Sequence, residues 1–157
     1  MMYAPGATLI QLIEQWEPLL RQVSSQQAAT APAPGKWAPV EIVGHLIDSA
    51  SNNHGRFLRA QQSDALLGLP YDQDFWVERQ QYRQADWTEL VGLWAGFNRL
   101  IARLMDATPE KALLQQREQH NLDQIAFRPL PAGQPATLLY FMLDYVAHLE
   151  HHLRQIV

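Results

Sequence analysis

The chain has 157 residues, no cysteine, a formal net charge of -4 and a pI near 5.8. That length fits one domain, residues 1–157, which buries enough surface to fold without a covalent staple. The acidic balance argues against a nucleic-acid partner, the missing thiols exclude disulfides and thiolate metal ligands, and no apolar run approaches the roughly 20 residues of a membrane span.

The opening stretch MMYAPGATLIQLIEQW has no positive region ahead of an apolar core, so no signal peptide is expected and a cytoplasmic location is the default. Leu9, Leu12, Ile13, Trp16, Leu19, Leu20 and Val23 recur at helical spacing and predict a first helix over 7–27. Pro18 removes one N–H within it and is expected to kink it. Residues 24–39, SSQQAATAPAPGKWAP, read as a linker.

A second helix is predicted over 39–62, with Pro39 in its first position and Glu41 in its first turn, behind the poor cap Ala38. Val43, Leu46, Ile47, Ala50, Phe57 and Leu58 form its apolar stripe, and His54 falls within it as a buried or half-buried histidine with a hydrogen-bond partner. Glu41, His45, Asp48, Asn52 and Arg56 form the opposite row. Periodicity alone favours a solvated face there over the wall of a cleft.

The segment 63–86, SDALLGLPYDQDFWVERQQYRQAD, is long for a loop, which points to function or to short helices. Its Tyr71, Trp76 and Tyr82 are candidates to line a pocket, although pinning the loop to the fold is the commoner role for such residues. A third helix follows over 87–106. A second irregular connection, 108–136, opens with a helical turn and carries His120, expected as a solvated loop histidine. Strand signals are weak throughout. The expected fold is therefore all-α, a four-helix bundle with long connections rather than the short-looped up-down kind.

The last helix, over 137–157, contains YVAHLEHHLRQI. His148 and His152 stand at i and i+4, close enough for two imidazoles to share an ion. They continue the row Phe141, Tyr145, His148, His152, Ile156 and look inward, whereas His151 lies on the adjacent polar row and looks outward. Solvated histidine is commoner than ligating histidine, so the pair needs a third ligand before a site exists.

Three stretches, KWAPVEIVGHLIDSASNNHGRF, YDQDFWVERQQY and DYVAHLEHHLRQI, together resemble the DinB/YfiT-like superfamily in order and spacing. The family form has Trp, Ser or Thr, Pro, then Glu, Gly-His-Leu-x-Asp and a later Arg, and closes with His-x-x-x-His near Gln-Ile. Ala38 departs from it where Ser or Thr is usual, weakening the cap by about 1 kcal/mol. The resemblance implies a four-helix bundle with an unusual crossover order, a cleft above a metal held by His45, His148 and His152, and often a homodimer. Asp48 and Arg56 match recurrent family positions of undecided role. A divalent ion on three imidazoles is expected to be zinc or nickel rather than magnesium or calcium, with a position left open. The implied activity is hydrolysis or thiol-dependent S-transfer on a small-molecule substrate, with a low-molecular-weight thiol as cosubstrate. The alternative is a non-catalytic metal-binding or stress-associated module.

Overall fold

The computed structural model describes residues 3–157. In chain order the helices are α1 (Pro5–Gln22), α2 (Ser25–Ala28), α3 (Pro39–Ala60), α4 (Gln73–Arg79), a 3-10 turn (Tyr82–Gln84), α5 (Trp87–Ala107), α6 (Glu110–Leu114), α7 (Leu122–Ile125) and α8 (Leu138–Leu153). No β-strand forms among the described residues, only isolated bridges.

The helix expected over 7–27 is two helices. α1 ends at Gln22 because Val23 is extended, and Ser24 then opens α2 with a reciprocal cap: its hydroxyl accepts the Gln27 N–H while the Gln27 side chain accepts the Ser24 N–H. α1 runs unbroken through Pro18, which sits on the exposed side where the freed carbonyl can meet water. Ala38 supplies no cap oxygen to α3. Glu41 compensates in part by accepting the Ala38 N–H at 3.0 Å. Asp86 caps α5 and Thr137 caps α8 through their side-chain oxygens.

α1, α3, α5 and α8 make the bundle, with α5 and α8 each packed between α1 and α3. Fully buried Leu9, Ile13, Leu20, Val43, Leu46, Trp94, Ile101, Met105, Met142 and Leu149 fill the centre. Pairings along the helices fix their directions. Glu17 meets Arg99 and the Trp87 indole donates to the Leu20 carbonyl, so α1 and α5 are antiparallel. Phe57 meets Phe141 while His45 meets His148, so α3 and α8 are antiparallel. His54 meets Phe97 and Gln61 meets Thr108, so the neighbours α3 and α5 are parallel.

Parallel neighbours need a connection that returns the length of the bundle. Residues 61–86 make that return, with α4 and the 3-10 turn laid against α3. Gly44 permits the approach, since a Cβ there would overlap the Tyr82 ring. This strap explains why the polar row of α3 is not the solvated face that periodicity favours: His45, Asp48 and Arg56 are all buried beneath it or beside the cleft. Leu58, placed on the apolar stripe, is instead exposed, and half-buried His54 stands edge-on to Phe97 with no hydrogen-bond partner among the described residues.

The second connection is held by Arg117, whose guanidinium donates to the carbonyls of Ala60, Ser63, Ala112 and Gln115 at the ends of α3 and α6. Arg117 also exchanges both backbone hydrogen bonds with Ala136. His120 is buried, not solvated. Its Nε2 donates to the Gln134 carbonyl at 2.6 Å and its Nδ1 accepts the Leu122 N–H, so it knots the loop.

Candidate metal centre

α3 delivers His45 from its second turn and α8 delivers His148 and His152 from its last turns, and antiparallel packing brings those two ends together. Nε2 of His45 lies 3.3 Å from Nε2 of His148. One nitrogen from each of His45, His148 and His152 can be chosen so that all three lie within 4.8 Å of one another. The imidazole centroids are 4.7 to 5.2 Å apart and the ring planes nearly perpendicular.

This spacing suits a cation. Ligands at about 2.0–2.1 Å from a tetrahedral zinc ion stand about 3.3 Å from each other. The His45–His148 separation already has that value, and the three donor atoms together lie within 4.8 Å of one another. No ion-pairing carboxylate approaches these imidazoles among the described residues. Burial, with repulsion from the neighbouring imidazoles, pushes His45 and His148 down to about 3. Burial also lowers His152, against the raising effect of its bond to Gln155. The rings are therefore neutral at physiological pH, the state in which imidazole binds metals.

The rings are fixed from behind. Nδ1 of His152 donates to Oε1 of Gln155 at 3.0 Å, leaving Nε2 with its lone pair free. The Trp37 ring packs 5.0 Å from that of His45 and 6.4 Å from that of His152. Phe127 leans against His148 and His151, and His151 itself is exposed. Nδ1 of His45 is buried with no protein partner. Trp37 and Gln155 carry no functional signal in the sequence beyond lying in the recognised motifs, and Phe127, in the second connection, carries none.

The imidazoles border a cleft of about 350 Å³ between α3, α8 and the two connections. Ser49, Asn53 and Arg56 line it from α3, one to three turns beyond His45 on the same face. Phe141, Asp144 and Tyr145 line it from α8. Of the aromatic candidates, Tyr71 faces the cleft and burial raises its hydroxyl to about 12. Trp76 stacks on Tyr71 from outside the cleft, 5.0 Å away. Tyr82 is a pin: its hydroxyl donates to Asp48 at 2.6 Å.

Three acids are candidates for a base. Asp48 accepts from Tyr82 and from Gln80 and so ties the strap to α3. Asp144 accepts the backbone amides of Phe127 and Arg128 at 2.8 and 2.7 Å. Glu150 pairs with Arg154 on the outer face. Burial raises Asp48 and Asp144 above the usual carboxylate range. None of the three ion-pairs with the cluster.

A sequence profile of the DinB superfamily matches residues 8–156. No curated protein matches the chain. Among solved structures, YfiT from Bacillus subtilis is similar, with a TM-score of 0.74 and 22% identity over 96% of this chain and 83% of that one. It is described as "a probable metal-dependent hydrolase with an unusual four-helix bundle topology".

Proposed function

The chain belongs to the DinB superfamily, and from that premise we propose that it is a metal-dependent enzyme in which His45, His148 and His152 hold one divalent ion, zinc or nickel, and a small molecule reacts in the adjoining cleft. The observation that carries this reading is the convergence of three neutral imidazoles beside a cleft of about 350 Å³. A bound ion would supply Lewis acidity there, lowering the pKa of a coordinated water or thiol toward neutrality.

The surroundings favour thiol transfer over hydrolysis. Free water ionises near 15.7 and a free thiol near 8.5, so water must be lowered much further by the ion before it becomes a nucleophile. The acids near the cleft are already engaged by Tyr82, by backbone amides or by Arg154. A thiol brought in by a cosubstrate needs the least help from such a site, and the chain has no cysteine of its own. Trp37 and Phe127 pack against the rings, and Gln155 holds His152 in one tautomer. Hydrolysis is the second reading, and the likeness to YfiT favours it.

Untagged protein should contain about one equivalent of zinc or nickel and should turn over small electrophiles only when a low-molecular-weight thiol is present. Chelation should abolish turnover and one metal should restore it. Turnover without thiol would move the assignment to hydrolysis. Full metal occupancy with no turnover across a broad panel would leave a binding module instead.

A further inference from the structure

Arg56 gives the cleft a second pole, whose role depends on the metal-dependent reading of the histidine cluster. Its side chain is only 8% exposed, yet no carboxylate of the described residues ion-pairs with it. A buried charge without a counter-charge is costly and is normally compensated. The guanidinium is held in place: Nη2 donates to the Leu69 carbonyl at 2.5 Å and Nη1 to Oδ1 of Asn53 at 3.3 Å. Gly68 packs so close that a Cβ would come within 2.6 Å of Nε. These bonds use two of the five N–H groups of the fork.

Arg117 provides the contrast. It too is buried without a carboxylate, but it spends its donors on four backbone carbonyls and does not line the cleft. Arg56 lines the cleft with donors to spare. Asp144, the acid that lines the cleft from α8, accepts the amides of Phe127 and Arg128 and lies 4.0 Å from the Arg128 guanidinium.

We propose that Arg56 receives the carboxylate of a substrate whose reacting end lies at the histidine cluster. A planar fork recognises a carboxylate through two parallel hydrogen bonds, and Arg56 is the sole arginine or lysine lining the cleft among the described residues, which suits one negative charge better than a phosphate's two. Three turns of α3 place the Cα atoms of His45 and Arg56 roughly 16 Å apart. Even after both side chains reach inward, the molecule that joins them is longer than a two- or three-carbon acid. The substrate class is therefore a medium-length organic acid, reactive at the end remote from its carboxylate.

The test uses the cobalt(II)-loaded protein and ω-mercapto acids as probes: mercaptopropionate, mercaptohexanoate and mercaptooctanoate, each against the mercapto-alcohol of the same length. The thiolate-to-cobalt absorption band reports sulfur at the metal, independently of any turnover. The longer acids should bind about 10- to 100-fold tighter than their alcohols, the effect of one charge-assisted pair. Arg56→Gln, which keeps a donor for the Leu69 carbonyl, should erase that preference, with the loss falling on the acids. Equal affinity of acid and alcohol at every length would overturn the proposal and make Arg56 a loop tie. So would a preference that survives Arg56→Gln. If that variant does not fold, the wild-type comparison still decides. Failure to take up cobalt removes the metal reading and this one together, whereas one cobalt with a thiolate band and no acid preference removes this one alone.

Discussion

Nε2 of His45 and Nε2 of His148 face each other at 3.3 Å across the α3–α8 interface, although the two residues are 103 positions apart in the chain. Two neutral imidazoles can share at most one proton between those nitrogens, and an ion satisfies both. His148→Ala should therefore reduce metal content from about one equivalent to near zero. The bundle should stay folded, because Leu149, Val146 and Leu153 rather than His148 bury the core face of α8. Elemental analysis beside far-ultraviolet circular dichroism checks both halves, and stoichiometric metal in the variant would contradict the ligand assignment.

Gln155 reaches the site only through His152. Outer partners of this kind are typically worth about 10- to 100-fold in metal affinity. Gln155→Ala should weaken zinc by about that much without changing the stoichiometry reached at saturation. Gln155→Glu should retain or strengthen binding, since it keeps an acceptor at Nδ1. Competition against a chromophoric chelator measures both, and wild-type affinity in the alanine variant would demote Gln155 to a surface residue.

Acid should destabilise the metal-free protein. His45 and His148 are held down to about 3, below the ordinary 6.5 of an unfolded histidine. Between those values the unfolded chain binds protons that the native state refuses, so the stability present above about pH 6.5 is lost as pH falls toward 3. Asp48 and Asp144 are raised and act in the opposite sense at the acid end of that window. Urea unfolding of stripped protein should show a clear loss between pH 7.5 and 5.5. The double variant His45→Asn, His148→Asn should lose much less over that range. Parallel curves for the two proteins would refute the assignment of the acid limb to these rings.

Tyr82 fastens the returning strap to α3. Tyr82→Phe deletes the 2.6 Å bond to buried Asp48 and leaves that carboxylate with Gln80 alone. The expected cost is about 1–3 kcal/mol. Metal stoichiometry should not change, since Tyr82 touches none of the three histidines through a hydrogen bond. Denaturant unfolding gives the first quantity, and hydrogen exchange should locate the loosening in 71–84. A variant as stable as the parent, with unchanged exchange there, would mean that packing on Gly44 holds the strap without the hydroxyl.

The long helices and the inward look of His148 and His152 are legible in the sequence because they rest on one-helix periodicity, which tertiary structure leaves intact. His45 is not legible that way. Its row is polar at every helical repeat, and it is turned inward by tertiary contacts alone: the strap of 61–86 covers Asp48 and Arg56, while Trp37 and the α8 histidines cover His45. The motif resemblance, not the pattern, singles it out. The burial of His120 escapes the sequence for a similar reason, since its partners Gln134 and Leu122 belong to irregular chain with no period to read. The break between α1 and α2 does have a local signal. Ser24 and Gln27 have the spacing of a reciprocal helix cap, but composition hides it by assigning the run to a helix end and a linker.

The distance in sequence between His45 and His148 has one more effect. An ion gripped from both sides would be a removable cross-link that closes most of the polypeptide into a ring, and ring closure restricts a denatured chain more as the ring grows. Whatever else the cation does, its loss would free that ring, so the holoprotein should melt at a higher temperature than the apoprotein, by a margin that tracks free metal concentration.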